Sequence, residues 1–135
     1  MILAEIMDEV ATVLQEITGL RVFAWPPGSV VPPAGVVSYP ESIDYDQAYQ
    51  RGEDQVTDLG IVLVAGIVTA RQTRQLISDW SAGAGSASVK QRMEAHRWVS
   101  CDDLTVTSCK IEPVSIAAVD YLAAFFTANV VGPGE

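Results

Sequence analysis

The sequence predicts an α+β fold: a single domain with an antiparallel-dominated mixed β-sheet, on which an N-terminal helix and a central helical pair pack. Three observations predict it. Apolar side chains recur at helical spacing over residues 2–17, residues 56–68 are rich in β-branched side chains, and residues 121–131 alternate. The 135 residues, 49% of them hydrophobic and 19% charged, are enough to bury a core as one domain, 1–135.

The chain opens with an amphipathic helix, predicted over Ile2–Ile17, and Gly19 suits the left-handed end of that helix. Its apolar stripe consists of Leu3, Ile6, Val10, Val13, Leu14 and Ile17. A short strand or extended segment is expected over Leu20–Trp25, where prolines then interrupt it.

The stretch VVPPAGVVSYPESIDYDQAY, from Val30 to Tyr49, sets a diproline against an apolar run. A flexible linker and a proline-rich ligand are the alternatives to a strand entrance. Proline fixes its own φ and restricts the residue before it, and the flanking apolar residues favour burial. We therefore interpret Pro32 and Pro33 as a rigid entrance to a short strand, and an adaptor that presents a polyproline segment ranks last.

A polar hairpin arm is predicted at about residues 41–55, followed by a long strand over Val56–Val68. Tyr45 and Tyr49 alternate with acids in this arm, and tyrosine provides contact area and a hydroxyl group at low entropic cost. From position and composition we assign the candidate contacts with a neighbouring subunit or another protein to Tyr45, Tyr49, Arg51 and Asp54.

Two helices follow, and each is predicted to begin with a capping box, Thr69 with Gln72 and Ser88 with Gln91. The buried edge of the first is predicted to consist of Leu76, Ile77 and Trp80, and the shared face of the second of Val89, Met93 and His96. The loop SAGAGSAS between them lacks the spacing and the Lys-Ser/Thr ending of a phosphate-binding loop, so we interpret it as a connector.

Two strands complete the sheet, predicted over Leu104–Ile111 and Tyr121–Val131. Phe125 and Phe126 are adjacent, so they point to opposite faces of their strand, and either a helix layer or a neighbouring subunit must cover the second face. Residues 132–135 are predicted to be a flexible tail without a role in the core.

The charge balance disfavours binding of nucleic acid through a basic patch. Eight Lys and Arg residues against seventeen Asp and Glu residues give a net charge of −9. The two cysteines, Cys101 and Cys109, are expected to be free thiols in a reducing compartment. The apolar runs are shorter than a membrane span, and we expect a protein that is used in solution inside a cell or particle.

No catalytic, cofactor-binding or metal-binding constellation is predicted. The single histidine, His96, has no activated nucleophile near it in a known motif, and His96 with Cys101 and Cys109 matches no zinc spacing. Paired carboxylates leave one alternative open, a small metal-dependent hydrolase that uses Asp44, Asp46 and Asp54. Solvation is the simpler role for carboxylates in such polar segments.

The order of these elements resembles the tail terminator, or tail completion, proteins of long-tailed phages, and is most similar to the small neck proteins of phages that infect actinobacteria. The likeness is one of pattern and length over nearly the whole chain. The segments that carry it are TGLRVFAWPP, VVPPAGVVSYPESIDYD, RGEDQ, LGIVLVAGIV, TARQTRQL, SVKQRMEA and IAAVDYLAAFFTANV.

The resemblance implies a structural virion protein rather than an enzyme, with no cofactor. It implies a ring, typically of six copies, that caps the tail tube, ends its polymerisation and docks the head-side connector. The implied partners are further copies of the chain, the tail tube protein and the connector, while DNA passes through the lumen without specific binding. The implied location is the neck of the virion, after assembly in the host cytoplasm. A head-side stopper or adaptor is the alternative within the virion.

Overall fold

A computed structural model describes residues 2–17, 19–23, 32–45, 53–116 and 118–133, except for the side chains at positions 53, 116 and 133. The described elements follow the predicted order of helix, strands, two helices and strands. They are α1 (Leu3–Leu14), β1 (Arg21–Phe23), β2 (Ala34–Val37), β3 (Ser42–Asp44), β4 (Glu53–Ile67), α2 (Arg71–Ser81), α3 (Val89–Ala95), β5 (Asp103–Ile116) and β6 (Val119–Pro133).

The described strands form one mixed, mostly antiparallel sheet, which confirms the predicted α+β class. The strand order is β1-β2-β4-β6-β5, and β3 pairs with β4 beyond the end of β2. Strands β1 and β2 are parallel, and every other described pair is antiparallel. The long strands β4, β5 and β6 therefore form the centre and one edge of the sheet.

The three helices pack on one face of this sheet. Apolar residues of α1, α2 and α3 share a core with Val37 of β2, Leu63 of β4 and Phe126 of β6. Phe125 points to the opposite face, where it is half-buried and lies in register with Val62 of β4. The helix layer thus covers Phe126, as one of the two predicted alternatives requires, but not Phe125.

The two predicted capping boxes form differently. Ser88 accepts a hydrogen bond from the Gln91 amide at 3.2 Å and caps α3 as predicted, although the Gln91 side chain accepts from the Gly85 amide instead of returning to Ser88. The Thr69 box is wrong, because α2 begins at Arg71 with Ala70 at its N-cap and without a side-chain cap. Strand β4 runs to Ile67 and a turn follows, which places Thr69 outside the helix.

The other boundaries differ in detail. Helix α1 ends at Leu14, while Gly19 has the predicted left-handed backbone, with φ +80°. In α2, Ile77 and Trp80 are buried as predicted, but Leu76 is only half-buried and Thr73 takes the remaining buried position. Strand β6 continues to Pro133, and Gly132 pairs with Asp54 of β4. The first two residues of the predicted tail are therefore part of the sheet.

Candidate interaction surface

The predicted polar arm is built on the antiparallel pairing of β3 with β4. Asp44 pairs with Gln55, and one position further Tyr45 follows β3 while Asp54 lies in β4. The Tyr45 side chain is 68% exposed, and that of Asp54 is half-buried and engaged in an interaction. Two of the four predicted contact residues thus lie on one hairpin, and the other two, Tyr49 and Arg51, lie outside the described residues.

A β-bulge shapes the base of this hairpin. The register of β4 against β6 shifts between Val56 and Leu59, and Asp58 in the bulge adopts φ +55°. The Asp58 amide donates to the side-chain oxygen of Asn129 at 3.2 Å, so β6 supports the left-handed residue. The neighbouring Thr57 hydroxyl donates to the Asp44 carboxylate at 3.2 Å, which ties the bulge to β3.

The base of the hairpin concentrates negative charge. The exposed Glu41 lies beside Asp58, and hydrogen bonding and charge repulsion from Asp58 raise the pKa of Glu41 above its ordinary value. Asp44 adds a third carboxylate to the same hairpin. None of these acids has a cationic partner among the described side chains. We call Glu41, Asp44 and Asp58 the acidic hairpin.

The solvent-facing side of α2 has the opposite character. We call this surface the arginine face; it lines a groove of about 660 Å³ on the helix. Its residues are Arg71, Gln72, Arg74, Gln75 and Ser78. Arg71 and Arg74 are exposed, and the ion pairs found within the described residues use other cations. The predicted buried edge of α2 does not include this face, although two arginines three residues apart in the sequence were a signal for it.

The most connected polar group in the described residues is the carboxylate of Glu9 on α1. It accepts hydrogen bonds from the Ser100 amide at 2.8 Å, from the Ser100 hydroxyl at 2.5 Å and from the Val99 amide at 3.1 Å. The Ser100 bonds are to Oε1, whereas Oε2, which accepts the 3.1 Å bond from Val99, also lies 2.7 Å from His96 Nε2. Burial alone would raise the pKa of Glu9, but these hydrogen bonds, led by those from Ser100, outweigh burial and lower it to about 2.

This arrangement fixes the segment after α3 to α1. His96 also packs edge-on against Trp98, with ring centroids 4.7 Å apart, and the Trp98 indole donates to the Met93 carbonyl at 2.9 Å. The Ser100 hydroxyl and the imidazole each contact Glu9 rather than one another, whereas an activated serine requires a histidine next to its hydroxyl. The geometry is that of a structural clamp.

An apolar groove of about 350 Å³ lies between the end of β4 and α2. Pro32 and Pro33 line it together with Leu76 and Trp80, so the diproline is set against this groove immediately before β2. That position agrees with the interpretation of the prolines as a strand entrance.

Of the three carboxylates of the alternative hydrolase, the described residues include two. Asp44 and Asp54 lie on the two strands of the hairpin, and Asp46 lies outside the described residues. Within the described ranges, no group of three or more His, Cys, Asp or Glu side chains could hold a metal ion. Both cysteines are free, and burial raises the pKa of each thiol, that of Cys101 to about 11.

No helix in the described ranges is both long enough and apolar enough to cross a membrane. Comparison of the chain with known protein families and with curated proteins finds no match.

Proposed function

We propose that this chain is a structural virion protein that forms a ring of six copies, caps the tail tube of a long-tailed phage and provides the docking surface for the head-side connector. The observation that carries the proposal is the β3–β4 hairpin, which presents a largely exposed tyrosine, Tyr45, beside a group of carboxylates. Tyrosines that expose most of their ring are typical of contact surfaces. The resemblance of the element order to tail terminator proteins supplies the identity of the assembly.

The mechanism is geometric. Each subunit contacts the next through two different surfaces, and such heterologous contacts generate a closed ring when the rotation closes. One side of the ring matches the last ring of the tube, and the other matches the connector. Tube polymerisation ends because the outward side no longer offers a tube-like template.

The acidic character of the chain suits a ring through which DNA passes. With a net charge of −9, carboxylates that line the bore repel phosphates and offer no site at which DNA would stall. The DNA contact is therefore unspecific, and the ring acts at the head-tail junction without chemistry of its own.

The proposal is tested by deleting the gene in the phage that encodes the chain and imaging the particles by electron microscopy. We expect tail tubes of irregular and excessive length, and a plasmid-borne copy should restore a single length. Filled heads that leak DNA beside tails of normal length would instead indicate the head-side stopper. Normal tails joined to filled heads would contradict both roles.

A further inference from the structure

Two surfaces of opposite charge lie at opposite ends of β4. The acidic hairpin is at the start of the strand, and the arginine face begins in the first turn of the helix that follows its end. Between Asp58 and Ile67, at about 3.3 Å per residue, the strand extends for about 30 Å. Exposed charges separated by more than about 8 Å are largely screened at physiological salt. The two surfaces therefore do not neutralise each other within one copy.

The arginine face is suited to binding an anionic partner. Arg71 and Arg74 are exposed and without an acidic partner in the described residues, in a chain that carries seventeen acids. The first turn of α2 contains no acidic residue that would offset the positive end of the helix. Asp79, the acid within α2 itself, accepts a hydrogen bond from Gln75 at 2.9 Å.

A bound cation would stabilise the acidic hairpin. Glu41 and Asp58 lie close enough to repel one another, and Asp44 adds negative charge on the adjacent strand. A guanidinium group is planar and always charged, and it can bind a carboxylate through two parallel hydrogen bonds. An arginine pair brought in from outside would relieve the repulsion between these acids.

We propose that the arginine face of one copy binds the acidic hairpin of a second copy in a head-to-tail contact. The occupant of each surface is thus the other surface of the same chain. In such a contact the two surfaces that meet are different, so each row of copies keeps a free arginine face at one end and a free acidic hairpin at the other. Further copies can therefore add until the ring closes. The inference rests on the ring of the proposed function, to which it adds the two surfaces that meet.

A charge-swap experiment tests the contact. One variant, Arg71→Glu/Arg74→Glu, reverses the arginine face; the other, Glu41→Lys/Asp44→Lys/Asp58→Asn, reverses the acidic hairpin. Asparagine is used at position 58 because it tolerates the left-handed backbone there. Circular dichroism and thermal melts verify that each variant folds, and sedimentation velocity measures self-association.

Each variant alone should associate at least about tenfold more weakly than the wild type, because like charges then face each other at every contact. An equal mixture of the two should recover association, since every contact in an alternating ring is again complementary. Arg97→Glu/Lys110→Glu and Glu5→Lys/Asp8→Lys are matched controls. They reverse exposed charges of the same signs outside the two surfaces and should leave association unchanged.

The proposed contact would be overturned if the variant with the reversed arginine face associated as strongly as the wild type. It would also be overturned if the mixture of variants failed to recover association, or if the wild type stayed monomeric at its highest soluble concentration. Arginine-dependent binding of a labelled DNA duplex without self-association would assign the face to phosphates instead. A different result would contradict the proposed function without contradicting the contact. Rings that respond to the charge swap, in a phage whose tails keep normal length without the gene, would leave the contact standing and remove the terminator role.

Discussion

The Ser100 amide donates a hydrogen bond of 2.8 Å to the carboxylate of Glu9, which lies 91 residues earlier in the chain. Because the Ser100 hydroxyl, the Val99 amide and His96 converge on the same carboxylate, α1 is joined to the segment between α3 and β5 by charge-assisted bonds. This clamp fixes α1 within the helix layer, and its residues lie outside both proposed contact surfaces.

Replacing Glu9 with glutamine should lower the free energy of unfolding by about 2–3 kcal/mol, because several donors then lose a charged acceptor and one oxygen becomes a donor itself. Urea denaturation followed by circular dichroism measures the loss. Glu16→Gln is the control: Glu16 is mostly exposed and its closest approach to Arg92 is 3.4 Å, so its loss should cost less than about 1 kcal/mol. Equal effects of the two substitutions would contradict the clamp.

The same carboxylate makes stability depend on pH. The folded pKa of Glu9, about 2, lies below the ordinary value of 4.5, so its contribution is present above pH 4.5 and is lost as the pH falls toward 2. The difference in unfolding free energy between wild type and Glu9→Gln should therefore shrink across that interval. Parallel urea titrations at a series of pH values measure it, and a difference that stays constant would show that Glu9 acts through packing alone.

Gly66 is predicted to be intolerant of a side chain. A Cβ atom there would lie 2.7 Å from the Thr73 hydroxyl, at a place where α2 approaches the irregular end of β4. Gly66→Ala should lower the unfolding free energy by about 1–3 kcal/mol. Gly83→Ala, which meets no atom within 4 Å, is the control and should change little. Adding Thr73→Ala to Gly66→Ala should recover part of the loss, and purely additive effects would place the cause elsewhere.

Tyr45 is predicted to serve contact rather than stability. Because its side chain is 68% exposed, Tyr45→Ala should change the unfolding free energy by less than about 0.5 kcal/mol. It should weaken binding to a neighbouring copy or to the tail tube about tenfold, because tyrosine is enriched among the few interface residues whose truncation costs more than about 1 kcal/mol. Tyr39, 74% exposed and outside the hairpin pairing, provides the control Tyr39→Ala. Binding that is lost equally in both variants, or in neither, would remove the hairpin from the contact.

Local sequence patterns determine much of the fold, because their periodicity reports which side faces the core. The apolar stripe of α1 and the β-branched run of β4 predicted both elements. The failures of prediction from sequence also have physical causes. Thr69 and Ser88 begin the same capping pattern, but only Ser88 caps a helix, because the pairing of β4 with β6 extends through Ile67 and delays the start of α2.

The remaining features depend on the positions in space of residues that are far apart in the sequence, which no short sequence pattern encodes. The Glu9 clamp joins residues that are 91 positions apart, and nothing near Glu9 in the chain marks it as an acceptor. The polar hairpin arm was predicted from its tyrosines and acids, and the structure shows the pairing of β3 with β4 that forms it. Its relation to the arginine face, by contrast, becomes visible only when the length and direction of β4 are known.

The mass of the purified, assembled chain tests the central claim most directly. Native mass spectrometry at physiological salt should give one dominant species of six times the mass of a single chain, and negative-stain images of the same sample should show rings with a central channel. A species that remains monomeric at every concentration, or one that grows into open filaments, would contradict a closed ring.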